Sequence, residues 1–208
     1  MTKPKTIFTT AAFFIVCLMS LTNSFAQTET RQRQAEPSYE VVLHILTASN
    51  SASDKMSVPP TLSNVVKKLK TIYSFSNYRL DSTYLQRVAN TGNIEFKSVT
   101  NEANQNQENY IPIFSEWTLG GLQSLPDSKG QNSIQFQNFR FGQRIPIRTS
   151  SYKDENGKTN NVVNYEQIGL TMQRFGVPEN VPTIVGSLST TKPDELMFLV
   201  LTVKPAQE

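Results

Sequence analysis

Few residues of this chain are suited to acid–base chemistry. His44 is the single histidine, and histidine is the side chain whose ordinary pKa lies between pH 5 and 8. A Ser-His-Asp site would need His44, yet no Gly-x-Ser-x-Gly elbow occurs, and Gly186-Ser187-Leu188-Ser189 lacks the second glycine. His44 lies between Val42 and Leu46 in a strand-like run, which favours a structural histidine in a core or at a sheet edge. We therefore predict no catalytic residue and no enzyme activity.

The carboxylates form no ligand set that spacing can reveal. Asp154-Glu155 and Asp194-Glu195 are the adjacent pairs, and neighbours on a strand point to opposite faces. Neither pair has the Asp-x-Asp-x-Asp-Gly spacing of a calcium loop, and glycine-rich phosphate loops are absent from the sequence. We expect no metal and no cofactor. A glycosidase pair stays open, because two acids that meet only in the fold leave no spacing to find.

Aromatic residues suggest two further kinds of site. Trp117, the single tryptophan, could stack on a sugar ring, although a lone tryptophan is more often packed in a core. Phenylalanines and arginines interleave between residues 136 and 144, as they do on platforms for single-stranded nucleic acid. Phenylalanines that alternate along a strand are more typical of a core face, so we expect no nucleic-acid partner.

Residues 1–26 have the three parts of a secretory signal peptide. Lys3 and Lys5 form a basic start, residues 11–21 an apolar core, and Ser24-Phe25-Ala26 a small-x-small cleavage site. The apolar core is shorter than the ~20 residues that a membrane-spanning helix needs. We predict cleavage near Ala26, a periplasmic or secreted protein, and no transmembrane span in the mature chain.

Composition excludes several classes of site from that mature chain. Cys17 lies within the predicted signal peptide, which leaves no thiol for a disulfide, a zinc site or a cysteine nucleophile. The whole chain has 20 basic and 17 acidic residues; without Lys3 and Lys5 the counts are 18 and 17, a formal charge of +1. This near-neutral charge gives no electrostatic reason to expect nucleic acid or a membrane surface as partner.

Two polar stretches divide the predicted mature chain. Residues 27–37 have too few apolar side chains to offset the entropy of ordering, which predicts a disordered lead. Residues 100–109 form a second polar stretch, long enough to separate two lobes. We predict an α+β fold that is mostly β. A β-α-β-β lobe at residues 38–100 precedes an antiparallel β-rich lobe at residues 110–208.

The patterns in the first lobe are a strand, a helix and a hairpin. Residues 39–47 are apolar on both alternating faces, as in a strand that is covered on both sides. Thr61 can cap a helix whose apolar residues recur in one stripe of 3.6-residue period, formed by Leu62, Val65, Val66, Leu69, Ile72 and Tyr73. Residues 78–88 and 93–99 predict a hairpin about the turn Asn90-Thr91-Gly92-Asn93.

The second lobe is almost all strand in pattern. Residues 110–118 predict a strand that Pro112 pushes toward a sheet edge. Apolar parity changes within residues 133–141, which predicts a β-bulge near Gln137-Asn138.

Two further elements complete this lobe. A hairpin is predicted in which the exposed tip at residues 153–158 joins strands at 144–149 and 162–172. Residues 196–203, LMFLVLTV, are apolar on both faces and predict the central strand of the core.

The last strands resemble, in order, the secretin domain of bacterial outer-membrane secretion and pilus channels. The matching segments are Gly142–Ile147 for the family's "G-x-x-(I/V)-P" strand, Tyr165–Met172 for "Y-x-x-(V/I)-G-(L/V)-x-L", Thr183–Leu188 for the "x-V-I-G-G-L" turn, and Glu195–Pro205 for the terminal strand. Ser189–Pro193 stands where the family has Val-Pro-x-Leu-Gly-Asp-Ile-Pro. The resemblance covers residues 142–208 and implies a small soluble relative of the secretin fold.

These patterns together predict an exported, non-enzymatic cell-envelope protein that acts by binding or assembly. The secretin-like motifs link it to secretion or pilus machinery, and the expected partner is an envelope protein or a second copy of the chain. The alternative is a periplasmic β module that binds a carbohydrate or peptide through Trp117 and neighbouring tyrosines. A hydrolase is the third hypothesis.

Overall fold

The computed structural model describes residues 36–51, 57–101, 112–126, 128 and 130–206. Their elements, in chain order, are β1 (Ser38–Ser49), a 3-10 turn (Pro60–Leu62), α1 (Ser63–Ile72), β2 (Asn77–Ala89), β3 (Asn93–Asn101), β4 (Pro112–Gly120), β5 (Gln123–Pro126), β6 (Asn132–Lys153), β7 (Thr159–Pro178), β8 (Thr183–Ser189) and β9 (Glu195–Pro205). The predicted α+β, mostly β class is confirmed. The predicted signal peptide, the lead up to Ala35 and residues 102–109 of the polar stretch lie outside the described residues. No helix of the described part is long and apolar enough to cross a membrane.

The strands form two antiparallel sheets whose inner faces share one core. Sheet A has the order β2-β1-β9-β8. In sheet B, β6 lies between β7 on one side and β4 followed by β5 on the other, and β3 flanks β4. The core cluster joins Leu43 and Leu201 of sheet A to Trp117, Phe139 and Phe141 of sheet B.

Strands from the two predicted lobes are mixed in both sheets. β1 lies between β2 and β9, and β3 pairs with β4. The described residues belong to one compact unit. The polar stretch at residues 100–109 therefore marks no boundary between sheets or cores, because a hydrophobic pattern says which face of a strand is buried but not which strand lies beside it.

The turn after β2 carries the chain from one sheet to the other. The Asn90 N–H donates to the Pro37 carbonyl, at the start of β1, and the Thr91 N–H donates to the Leu122 carbonyl, beside sheet B. The rings of Tyr84 and Phe96 face each other across the core, with centroids 4.9 Å apart. The predicted hairpin of residues 78–88 and 93–99 is therefore wrong. β2 and β3 bury their apolar faces against each other and do not pair edge to edge.

α1 covers part of the outer face of sheet A. Leu62, Val65, Val66 and Leu69 of the predicted stripe are buried, whereas Ile72 is 61% exposed because the helix ends there. Thr61 is no cap, which corrects the prediction. The helix begins in a 3-10 turn with Pro60 at its first position, where the missing proline N–H costs no hydrogen bond.

β9 is the central strand that residues 196–203 predict. It lies between β1 and β8, with Phe198 and Val200 beneath α1 and Leu199 and Leu201 in the core between the sheets. All four side chains are buried almost completely. Burial on both faces explains why the sequence shows no polar alternation there.

Three adjacent strands of sheet B change face at the same level. Gln137-Asn138 of β6 are both exposed between buried Phe136 and Phe139. Gly120-Gly121 before β5 and Gln173-Arg174 of β7 interrupt their strands at that level. The pairing register of β6 with its neighbouring strands is the same before and after the interruption. The predicted bulge is therefore wrong, because each neighbouring strand has an extra residue at the same level. Gly121 and Arg174 take left-handed backbone angles there, with φ of 66° and 51°.

Pro112 does not place β4 at a sheet edge. β4 lies between β3 and β6, and Pro112 is its first residue. A proline at the first position of a strand is tolerated even in the interior of a sheet, because the ladder needs no N–H donor at that position.

Candidate functional site

His44 lies on the outer face of sheet A, on the central strand β1. Its Nδ1 is 2.9 Å from the Thr83 hydroxyl on the neighbouring strand β2. Burial lowers the pKa of His44 below its usual 6.5. The hydrogen-bond partner is thus a hydroxyl on the same sheet and not a carboxylate that would orient a catalytic base.

The two carboxylate pairs have local structural contacts. The Asp154 Oδ1 accepts hydrogen bonds from the backbone N–H groups of Asn156 and Lys158, at 3.0 and 2.8 Å, and so closes the tip between β6 and β7. Glu195 forms ion pairs with Lys192 at 3.1 Å and Arg79 at 3.6 Å. Within the described ranges, no three His, Cys, Asp or Glu side chains come together as a metal site would require.

Trp117 is completely buried in the core between the sheets. Its ring packs beside Phe96, with centroids 6.3 Å apart. A ligand on the surface cannot reach it, so the alternative module that holds a sugar or peptide through Trp117 loses its main binding residue. Phe136, Phe139 and Phe141 are also buried, as an apolar core face requires and a nucleic-acid platform would not allow.

The distal parts of β6 and β7 form a two-stranded ribbon, which we define as residues 145–153 and 159–166. β4 pairs with β6 only as far as Arg144, whereas β7 continues to Lys153. The ribbon is about 30 Å long at the usual rise of a strand. No third strand pairs with it among the residues that the structure describes. The predicted hairpin with its exposed tip is confirmed.

The ribbon exposes large apolar side chains. Ile147, Tyr152 and Val162 are 52%, 57% and 43% exposed. The register of the two strands shifts at Ile147, between Pro146 and Arg148. Unpaired strand edges offer a row of backbone donors and acceptors to another strand. The ribbon therefore combines free pairing edges with apolar side chains that lack a covering layer in the described structure.

A second surface feature is a groove on the outer face of sheet B, with a volume of about 250 Å³. Its lining includes Val99, Phe114, Glu116, Gly142, Arg144 and Gln167. The Arg144 guanidinium lies over two rings, 5.3 Å from the centroid of Phe114 and 5.7 Å from that of Tyr165. Those rings pack against each other edge to face.

The charges around this groove are unequally paired. Glu116 contacts Arg140 at 3.5 Å and accepts a hydrogen bond from Gln167 at 3.3 Å. Lys97 pairs with Glu95 at 3.0 Å, and that hydrogen bond raises the pKa of Lys97. Arg144 has no carboxylate within 4 Å in the described part of the chain. In the sequence analysis Arg144 appears only as one of the interleaved arginines. A signal for the groove was present, because Arg144 lies two residues after Gly142 and both therefore lie on the same face of the strand.

Neither a protein-family model nor a curated protein matches the chain. Among solved structures, it is similar to InvG, the secretin of the Salmonella SPI-1 type III secretion injectisome, seen by cryo-EM. The identity is 10% and the TM-score 0.31, over 95% of this chain and 70% of that chain. The atomic model of the injectisome basal body proteins InvG, PrgH and PrgK contains a similar chain, of which 50% is covered at the same identity and TM-score. The chain thus has a weak secretin-like resemblance in structure, as the motifs of residues 142–208 predict in sequence.

Proposed function

We propose that this protein is an exported, non-enzymatic component of the cell envelope that acts by assembly, with the ribbon as its contact element. The observation that carries the proposal is the ribbon itself. It extends β6 and β7 beyond their neighbouring strands with both edges unpaired in the described structure and three large apolar side chains exposed.

The energetics of a two-stranded ribbon favour such a contact. An isolated hairpin is at best marginally stable in water, and a third strand or a packed layer supplies what it lacks. Strand addition would satisfy the free backbone groups of one edge, and burial of Ile147 and Val162 would contribute about 25 cal/mol per Å² of apolar surface. A partner that pairs with the ribbon therefore gains both main-chain hydrogen bonds and apolar contact.

A place beside secretion or pilus machinery is the finer part of the proposal. It is supported by the secretin-like motifs of residues 142–208, which overlap the ribbon strands at residues 145–147 and 165–166, and by the signal-peptide pattern of residues 1–26. The partner would be another envelope protein or a second copy of this chain.

Intact-mass measurement of the exported protein should show a chain that begins at Gln27. A chain that keeps residues 1–26 would contradict export by cleavage.

The contact is tested with a double variant, Ile147→Lys with Val162→Lys. Both positions are exposed, so the fold should survive, and Lys at a strand edge blocks edge-to-edge pairing. Light scattering after size-exclusion chromatography and cross-linking in native envelopes should show that the variant loses a complex that the wild type forms. Leu85→Lys is the matched control, because Leu85 is 59% exposed on β2, outside the ribbon. A wild type that stays monomeric and forms no cross-linked complex, or a double variant that keeps the complex, would overturn the proposal.

A further inference from the structure

We propose that the groove on the outer face of sheet B binds a carboxylate carried on a small apolar body, and that Arg144 is the residue that receives the carboxylate. This site adjoins the ribbon, with which it shares Tyr165, but it does not depend on the proposed function. Its evidence is the position of Arg144, the glycine in the floor, and the balance of charge around the groove.

Arg144 is held in place but its charge is not compensated. Stacking over Phe114 and Tyr165 restrains the side chain, which reduces the entropy lost when a ligand binds. A guanidinium offers five N–H donors in a planar fork that matches the two oxygens of a carboxylate. The rings of Phe114 and Tyr165 do not accept hydrogen bonds from the guanidinium as a carboxylate would. The N–H donors of Arg144 therefore remain available to an anion.

Gly142 is part of the floor next to Arg144, and a second glycine lies beside it on β7. Gly142 of β6 pairs directly with Gly169 of β7, so two adjacent positions of the sheet face have no side chain. The atoms nearest to a Cβ added at Gly142 would be the Gln167 Nε2 at 3.2 Å, the Glu116 Oε1 at 3.4 Å and the Glu116 Cγ at 3.5 Å. The side chains of Gln167 and Glu116, which are hydrogen-bonded to each other, lie over Gly142, so the missing Cβ lets them lie low across the floor of the groove.

The surrounding charges select for one negative group. Lys97 and Arg140 have acidic partners, Glu95 and Glu116, so among the described residues at the groove the positive charge without an acidic partner is that of Arg144. Glu116 at the opposite side of Gly142 would repel a second anion. The groove therefore favours a monoanion over phosphate, which carries more charge and lacks an apolar part.

Size and lining define the rest of the ligand. The volume of about 250 Å³ is smaller than the ~300–1,000 Å³ of sites for drug-sized molecules. Val99 and Phe114 give it apolar walls. A carboxylate on a body the size of one amino-acid residue fits this description, either as a free organic acid or as the last residue of a peptide.

The test uses N-acetylphenylalanine as probe, with N-acetylphenylalaninamide as its neutral match and acetyl-Ala-Ala-Phe as the peptide arm. NMR titration of the wild-type protein should shift the Arg144 Nε–H with the acid and not with the amide. If acetyl-Ala-Ala-Phe binds more tightly than N-acetylphenylalanine, the ligand is assigned to the end of a peptide. If the two acids bind equally, the ligand is assigned to a free organic acid. An amide that binds as well as the acid, or phosphate that competes as strongly as the acid, would overturn the proposal.

Three variants locate the site. Arg144→Gln should weaken acid binding at least tenfold, because it removes the charged donors that pair with the carboxylate. Gly142→Ala should weaken acid binding by partly filling the floor of the groove. Lys158→Gln is the control, because it removes one positive charge at the ribbon tip, and it should change the affinity for the acid less than twofold. Undiminished binding by a folded Arg144→Gln would refute the assignment. If Arg144→Gln does not fold, the wild-type titration decides alone. The ribbon variant Ile147→Lys with Val162→Lys should bind the acid normally, so failure of this site and failure of the assembly contact are distinguishable.

Discussion

β6 and β7 are paired with each other over almost their whole length, yet the two halves of this hairpin lie in opposite environments. Between Ile134 and Phe141, β6 has neighbours on both edges and buries its apolar side chains in the core. Beyond Arg144 the same pair has no further strand in the described structure and exposes Ile147 and Val162. Backbone pairing alone thus does not bury side chains. A second sheet must lie across the face, and it does so only for the proximal half.

The largest expected difference between core and ribbon comes from burying a charge. Val200→Asp, at a completely buried position of the central strand, should unfold the protein, because an unpaired buried carboxylate costs several kcal/mol against a total stability of ~5–15 kcal/mol. Val162→Asp, at an exposed ribbon position, should change stability by less than ~0.5 kcal/mol. Thermal unfolding of both variants measures the contrast. If Val200→Asp melts within a few degrees of the wild type, the core assignment of β9 is wrong.

The paired glycines should respond differently to the same substitution. A Cβ at Gly169 would clash with the Phe141 carbonyl oxygen, which is backbone and cannot move away. Gly169→Ala should therefore cost ~1–3 kcal/mol. At Gly142 the nearest atoms to an added Cβ belong to the flexible side chains of Gln167 and Glu116, so Gly142→Ala should cost less than half as much. Urea unfolding of the two variants decides, and equal stabilities would mean that β7 does not approach β6 as closely as described.

A smaller effect is expected at the ribbon tip. Asp154→Ala removes a carboxylate that accepts two backbone N–H groups, and it should cost ~1 kcal/mol if the ribbon folds together with the core. If the ribbon unfolds on its own, the change appears only as faster amide exchange of residues 145–166, without a lower melting temperature. Hydrogen exchange and calorimetry on the same variant separate a cooperative ribbon from an independent one.

The smallest effect is expected at His44. Because burial lowers its pKa in the folded state, the unfolded chain binds a proton first as the pH falls below 6.5. The stability that His44 contributes as a neutral side chain is therefore present above pH 6.5 and is lost as the pH falls through the lower folded-state pKa. His44→Gln should flatten this part of the pH–stability profile and leave stability at pH 7.5 nearly unchanged.

The same variant tests the non-enzymatic proposal. His44→Gln should fully restore a deletion strain, because assembly through strands needs no acid–base group. A folded and normally abundant His44→Gln protein that fails to restore function would favour a hydrolase with His44 as its base.

Hydrophobic pattern predicted the elements well and their partners poorly. The apolar run at residues 196–203 predicted a two-sided central strand because burial on both faces leaves no room for polar residues. The stripe through Leu62 and Leu69 predicted α1 because burial of one helix face requires apolar residues at the spacing of a helical turn. The groove was not predicted, since Arg144, Phe114 and Tyr165 belong to three strands and have no common spacing in sequence.

By itself the sequence determined the mostly β class, the two-sided strand β9, the exposed tip at residues 153–158 and the secretin-like motifs. These follow from periodicity, turn residues and composition, which act locally along the chain. Only the tertiary structure decided that β2 and β3 belong to different sheets, that Trp117 is inaccessible, and that Arg144 lies over two rings beside paired glycines. Strand pairing is a contact between distant segments, and many pairings bury the same apolar faces. The choice among them depends on how the whole core packs.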